Sequence, residues 1–184
     1  MGAGASGGLS EEEIDELVTK THFSKKQIKK LRKRFLLLDN RKLGVISLDE
    51  FSSLPELATN PLADRIVQTL SDKPVWAGGK QEGVDFVKFV LAMNAFAPQV
   101  PIAEKQKVLF KVYDVDGDGA VGYQDLFATF NRLLGQSVTR THLEAVAVGA
   151  LSAVDKDKDG LLNFHEFCSL MDEDDVKARM TLAV

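Results

Sequence analysis

Two runs of carboxylates in the second half of the chain, Asp114-Asp116-Asp118 and Asp155-Asp157-Asp159, sit at alternate positions. Like charges held so close repel one another, and a bound cation is what reconciles such a cluster with a folded chain. The second run opens the twelve-residue stretch from Asp155 to Glu166. Carboxylates at its positions 1, 3 and 5 converge if Gly160, at position 6, supplies a sharp turn. Leu161 at position 7 offers a backbone carbonyl, Asn163 at position 9 ligates directly or through water, and Glu166 at position 12 closes the shell with both oxygens. Every donor is a hard oxygen, which selects Ca²⁺ or Mg²⁺ over softer metals. The first run opens the same arrangement from Asp114 to Asp125, with Ala120 at the carbonyl position. Its position 12 is Asp125, one methylene shorter than glutamate. A single coordinating oxygen there makes a near-octahedral site suited to Mg²⁺ or weaker Ca²⁺ binding. The candidate ligands are therefore Asp155, Asp157, Asp159, Leu161 and Glu166 for Ca²⁺, and Asp114, Asp116, Asp118, Ala120 and Asp125 for Ca²⁺ or Mg²⁺.

Such loops need a helix on each side to hold them, which is the EF-hand unit. Aligned by loop position, the chain shows the unit four times. Position 12 falls at Glu50, Lys88, Asp125 and Glu166, spaced by 38, 37 and 41 residues. Position 8, whose apolar side chain pairs neighbouring loops through a short β-bridge, is Ile46, Val84, Val121 and Leu162. Apolar stripes at helical spacing precede the loops: Ile28, Leu31, Phe35 and Leu38; Val108, Leu109, Val112 and Tyr113; Val146, Ala150, Leu151 and Val154. The expected fold is all-α, four helix–loop–helix units paired into two lobes. Its parts are an N-terminal arm 1–22, an N-lobe 23–98, a linker 99–102, a C-lobe 103–172 and a tail 173–184. The upstream loops, 39–50 and 72–88, have lost their ligands. Loop 39–50 keeps Asp39 and Glu50 but carries Arg41 and Leu43 at positions 3 and 5, where a guanidinium repels a dication. Counted back from Lys88, the second loop has Ala77, Gly79 and Gln81 at positions 1, 3 and 5. Started at Asp72, it carries five extra residues. Neither register makes a site.

The remaining features bound the function. The net charge of −4 divides unevenly: residues 1–98 hold 14 basic and 13 acidic side chains, residues 99–184 only 9 basic against 14 acidic. That balance argues against a nucleic-acid binder. No apolar run approaches the ~18–20 residues of a membrane span. The single cysteine, Cys168, fits a reducing, cytoplasmic setting and reads as a buried thiol on the helix with Phe164 and Met171. No catalytic constellation is present, since His22, His142 and His165 lack partners at metal or triad spacing. Met1-Gly2-Ala3-Gly4-Ala5-Ser6 matches the signal for N-myristoylation of Gly2. Seven cations between Lys25 and Arg34, with no acid among them, raise anionic lipid as a second anchor beside the solvated back of a helix. Pro98 and Pro101 keep the connection between lobes short and stiff.

Several segments resemble the calcineurin B family, the calcium-binding regulatory subunits of a calcium-dependent serine/threonine protein phosphatase. They are Leu31-Arg32-Lys33-Arg34-Phe35, the run Glu50–Leu57 with Asn60-Pro61-Leu62, Val112-Tyr113-Asp114-Val115-Asp116, Phe164-His165-Glu166-Phe167-Cys168 and Met180-Thr181-Leu182. The resemblance covers residue 21 to the C-terminus. It implies a non-enzymatic subunit that wraps a helix of a calcineurin A-like catalytic chain in a hydrophobic groove. It also implies a shared docking surface for immunophilin–drug complexes, and peripheral membrane association through myristate. Two departures stand against the family pattern, the ligand-poor N-terminal loops and Asp125 at position 12. The first is nearer the calcineurin B homologous proteins, adaptors of ion exchangers or kinases, which Glu11–Ser24 also resembles. A free Ca²⁺/Mg²⁺ buffer is the third reading.

Overall fold

The computed structural model describes residues 9–52, 54, 62, 65–66, 69, 83–135 and 137–180. Among them are nine helices and two short antiparallel strand pairs, so the protein is all-α apart from the loop bridges. The chain divides into two compact units, the first running to Val100 and the second spanning Pro101–Thr181.

In the first unit, α1 (Glu11–Lys20) starts where Ser10 and Glu13 cap each other reciprocally, each side chain bonding the other's backbone N–H. Ile14 and Leu17, one turn apart, are its buried residues. Ser24 and Gln27 make the same box at the start of α2 (Lys25–Leu38), whose buried face is Ile28, Leu31 and Phe35. The two helices are also joined through charge, Lys25 with Asp15 and Lys29 with Glu11 at 3.0 Å. Then come β1 (Val45–Ile46), α3 (Leu48–Ser52), β2 (Val84–Asp85) and α4 (Phe86–Ala95). Phe35 meets Phe86 and Phe89 edge-on at 5.5 and 5.4 Å, and Phe89 meets Phe51 at 6.0 Å. This aromatic cluster fastens the entering and leaving helices of the first hand to the leaving helix of the second.

The second unit runs α5 (Ile102–Tyr113), β3 (Val121–Gly122), α6 (Tyr123–Leu134), α7 (Arg140–Val154), β4 (Leu161–Leu162), α8 (Phe164–Leu170) and α9 (Glu173–Met180). Phe167 occupies the place that Phe89 has in the first unit, with Phe110 and Tyr113 at 5.4 and 5.2 Å. The position-8 residues bridge the loops in pairs, Ile46 with Val84 and Val121 with Leu162, and all four are fully buried.

Four details differ from the sequence reading. The stretch expected to be an arm contains α1, because a capping box and two apolar residues one turn apart suffice to dock it. The stretch expected to be a tail contains α9, whose Val176 and Met180 are fully buried. In the fourth hand α7 buries Leu143 and Ala147, while Val146 is 47% exposed, since it lies one residue off the row 143, 147, 151, 154. Cys168 is half-buried rather than buried. The expected linker 99–102 straddles the division between the units: Val100 is buried on one side and α5 begins at Ile102 on the other. Gly2, Thr181–Leu182 and the second loop upstream of Gly83 lie outside the described residues.

Candidate metal centres

Both acidic runs form tight clusters. The carboxylate oxygens of Asp114, Asp116 and Asp118 all lie within 4.8 Å of one another, as do those of Asp155, Asp157 and Asp159. The backbone makes this possible. In each loop position 4 and position 6 are left-handed: Gly117 and Gly119 at φ 78° and 93°, Lys158 and Gly160 at 62° and 84°. Gly160 thus adopts the turn that its loop position requires. The position-1 carboxylates each hold two amides, Asp114 those of Gly117 and Gly119 (2.7 and 3.0 Å), Asp155 those of Lys158 and Gly160 at the same distances. One oxygen of Asp118 accepts from the Ala120 amide, and one of Asp159 from the Leu161 amide. A set of converging, hard, anionic oxygens fits a divalent ion such as Ca²⁺.

At position 12 the buried carboxylates of Asp125 and Glu166 are handled alike. Asp125 accepts from the amides of Val115 and Gly122, both at 2.9 Å. Glu166 accepts from Lys156 and Asn163 at 2.9 and 3.1 Å. Each ties the loop's second residue to the start of the leaving helix, so the aspartate reaches the same backbone partners despite its missing methylene. Asn163, expected to ligate, also caps α8 by accepting from His165 and Glu166. The electrostatics carry the strain of clustering. The Asp159 amide holds the Asp157 carboxyl down, but desolvation and the carboxylates of Asp159, Glu166 and Asp155 outweigh it and push it above the ordinary range.

Loop 39–50 keeps the loop backbone without the ligands. Lys42 and Gly44 are left-handed at positions 4 and 6, φ 53° and 75°, as in the acidic loops. Asp39 holds the amides of Leu43 and Gly44 at 2.9 and 2.7 Å. The Arg41 guanidinium lies 3.6 Å from the Glu50 carboxylate. In the second hand Lys88 stands at position 12, and its amide donates to the Asp85 carboxylate at 2.9 Å.

One charged residue of the second unit escaped the sequence reading. Lys105, at 1% exposure, is buried in α5 and its ammonium donates to the Met180 carbonyl at the end of α9. The signal was its register, four and seven residues before Leu109 and Val112 on the buried face. Burial pushes its pKa down. Burial likewise pushes the Cys168 thiol up, away from the thiolate a nucleophile requires.

Comparison with known proteins fits this geometry. The family model for an EF-hand domain pair matches residues 104–172, the two acidic loops and their helices. Calcineurin B of Naegleria gruberi is 35% identical over 182 residues, 99% of this chain and 99% of that one. The chain belongs to the calcineurin B family. The calcineurin B of Schizosaccharomyces pombe is 32% identical over 95% of the chain, and type 1 of Dictyostelium discoideum 30% over 89%. In both, the alignment covers most of the relative as well, 98% and 87%. As a member of the calcineurin B family the protein is a calcium-binding regulatory subunit and not an enzyme. No helix among its described residues is long and apolar enough to cross a membrane.

Proposed function

We propose that the protein is the regulatory partner of a calcineurin A-like serine/threonine phosphatase chain in the cytoplasm. The observation that carries this reading is similarity to calcineurin B over nearly the full length of both chains. Exposed apolar side chains in the second unit support it: Leu134, Val138, Val146 and Phe164 all offer surface that an amphipathic partner helix would cover. The ligands are Asp114, Asp116, Asp118, Asp125 and the Ala120 carbonyl in one loop, and Asp155, Asp157, Asp159, Glu166 and the Leu161 carbonyl in the other. Bound calcium neutralises the clustered carboxylates. The chain does the rest: Asp125 and Glu166 tie each leaving helix to the loop's start, and the β3–β4 bridge couples one loop to the other. Gly2 is the site of N-myristoylation and of peripheral membrane attachment, and immunophilin–drug complexes dock on the assembled phosphatase.

One observation favours a second reading, an adaptor of the calcineurin B homologous type. The first loop carries Arg41 against Glu50, so calcium has no entry there. Capture from native lysate with and without EGTA separates the two. Recovery of a phosphatase catalytic chain supports the first reading. Recovery of an ion exchanger or kinase in its place overturns it.

A further inference from the structure

Two neighbouring residues of α5 hold α9 at both of its ends. The buried Lys105 ammonium donates to the carbonyl of Met180, the last residue of α9. The Gln106 side-chain amide donates to the Met171 carbonyl at 3.3 Å, just past the end of α8. Between these clasps Val176 and Met180, one turn apart, are fully buried. Glu173, Asp174, Asp175 and Lys177 face water. Eight residues with two apolar anchors make no stable helix alone in water, so α9 persists through its seat on α5. The same α5 enters a metal loop. Its C-cap is Asp114, the first ligand, whose amide donates to the Phe110 carbonyl, so the ligand continues the helix without a break. Lys105 lies nine residues upstream, roughly 13 Å along the same rod. In an empty loop the carboxylates of Asp114, Asp116 and Asp118 stay crowded within 4.8 Å, and their repulsion is relieved when Asp114 swings away with α5. A swing at that end of the rod displaces the clasps at the other.

We infer that α9 is a calcium-gated strap, whose docking on α5 and Ca²⁺ binding at loop 114–125 strengthen each other, with Lys105 and Gln106 as positioning residues. The inference rests on the ligands proposed above for that loop. Coupling between two binding events is reciprocal. Calcium in the loop seats α9, and a seated α9 holds Asp114 where the ion requires it. The β3–β4 bridge joins the loops at their centre, and the strap joins the outer helices, α5 of one hand and α8 of the other. Loop 155–166 depends less on the clasps, because its first ligand, Asp155, caps α7, which carries neither of them.

The test uses the full-length chain and Ca²⁺, with one loop silenced at a time. In an Asp155→Ala background, calorimetry reads loop 114–125, and Lys105→Met should weaken its affinity about tenfold. Gln106→Leu, which opens the other clasp, should act in the same direction. In an Asp125→Ala background, Lys105→Met should weaken loop 155–166 by less than about threefold. Hydrogen exchange supplies a second measurement on the unaltered chain, should a background fail to fold. EGTA should release the α9 amides, and release them faster than the β4 amide of Leu162, as a local opening does. Affinity at loop 114–125 that ignores Lys105→Met overturns the proposal, and so does an equal loss at both loops, which assigns Lys105 to the fold of the unit. So do α9 amides as protected under EGTA as with calcium, or released only in step with Leu162. An Asp155→Ala chain that is folded yet binds no calcium overturns the ligand assignment as well, whereas binding with an unresponsive α9 overturns the coupling alone.

Discussion

Asp125 and Glu166 hold the same loop position, and the backbone treats them as equivalents. Each draws in the amides of loop positions 2 and 9. At position 12 the difference between the two loops is therefore how far the carboxylate extends past those amides toward the ion. Asp125→Glu restores the missing methylene and should tighten Ca²⁺ at loop 114–125 about tenfold, ~1.4 kcal/mol, with little gain for Mg²⁺. Calorimetric titration with each ion checks this, and equal gains for both would refute it. Asp155→Ala or Glu166→Ala should abolish binding at loop 155–166, because each removes both a ligand and the contacts that shape the loop. Lys105 makes a separate point about one residue. Its folded pKa lies below the ordinary lysine value. The stability linked to that shift is complete above the unfolded value and is lost as pH falls through the folded one. Lys105→Met, which keeps the stem without the charge, should erase that alkaline rise in denaturant-derived stability. A variant whose curve parallels the parent's would show that Lys105 is not its source.

At the scale of loops and helices, spacing told more than propensity. The position-8 residues are predictable because EF loops pair through them, and Ile46–Val84 and Val121–Leu162 do pair. Acid triplets revealed two clusters because few other folds place carboxylates at alternate positions around a glycine turn. What sequence hid was mostly docking. α1 and α9 read as arm and tail because their charged residues outnumber the two apolar ones that anchor each. The apolar row of α7 was misread by a single residue, an error that periodicity tolerates when Val146, Ala147 and Val148 are adjacent. Lys105 was hidden by its type. Nor does sequence reveal that loop 39–50 retains a calcium-loop backbone, which only Lys42 and Gly44 in left-handed geometry disclose. That retention yields a prediction about the element itself. Arg41→Asp with Leu43→Asp removes the guanidinium and supplies carboxylates at positions 3 and 5, beside Asp39 and Glu50. The first loop should then bind Ca²⁺, raising the calorimetric count by one. No added site would mean that side chains alone do not distinguish this loop from the acidic ones.

Across the whole chain the two units meet the same electrostatic demand differently. The first has Arg41 beside Glu50, a cation supplied by the protein itself, and its core is the Phe35, Phe51, Phe86 and Phe89 cluster. The second gathers two carboxylate triplets and two buried position-12 carboxylates, and it needs cations from outside. A ligand at a hundred to a thousand times its dissociation constant stabilises the folded state by ~2.7 to ~4.1 kcal/mol. Chelation with EGTA should remove about that much from the second unit and little from the first. Hydrogen exchange reads the two separately through their bridges. Without calcium the amides of β3 and β4, at Val121 and Leu162, should lose protection, while those of β1 and β2, at Ile46 and Val84, keep theirs. Equal loss in both bridges would mean that the first unit also depends on metal, and that Arg41 does not substitute for it. Unchanged protection in both would remove calcium from the fold of the second unit. The asymmetry expected here follows from charge alone: repulsion among clustered carboxylates returns with the ion's departure only where the chain has no cation of its own to answer it.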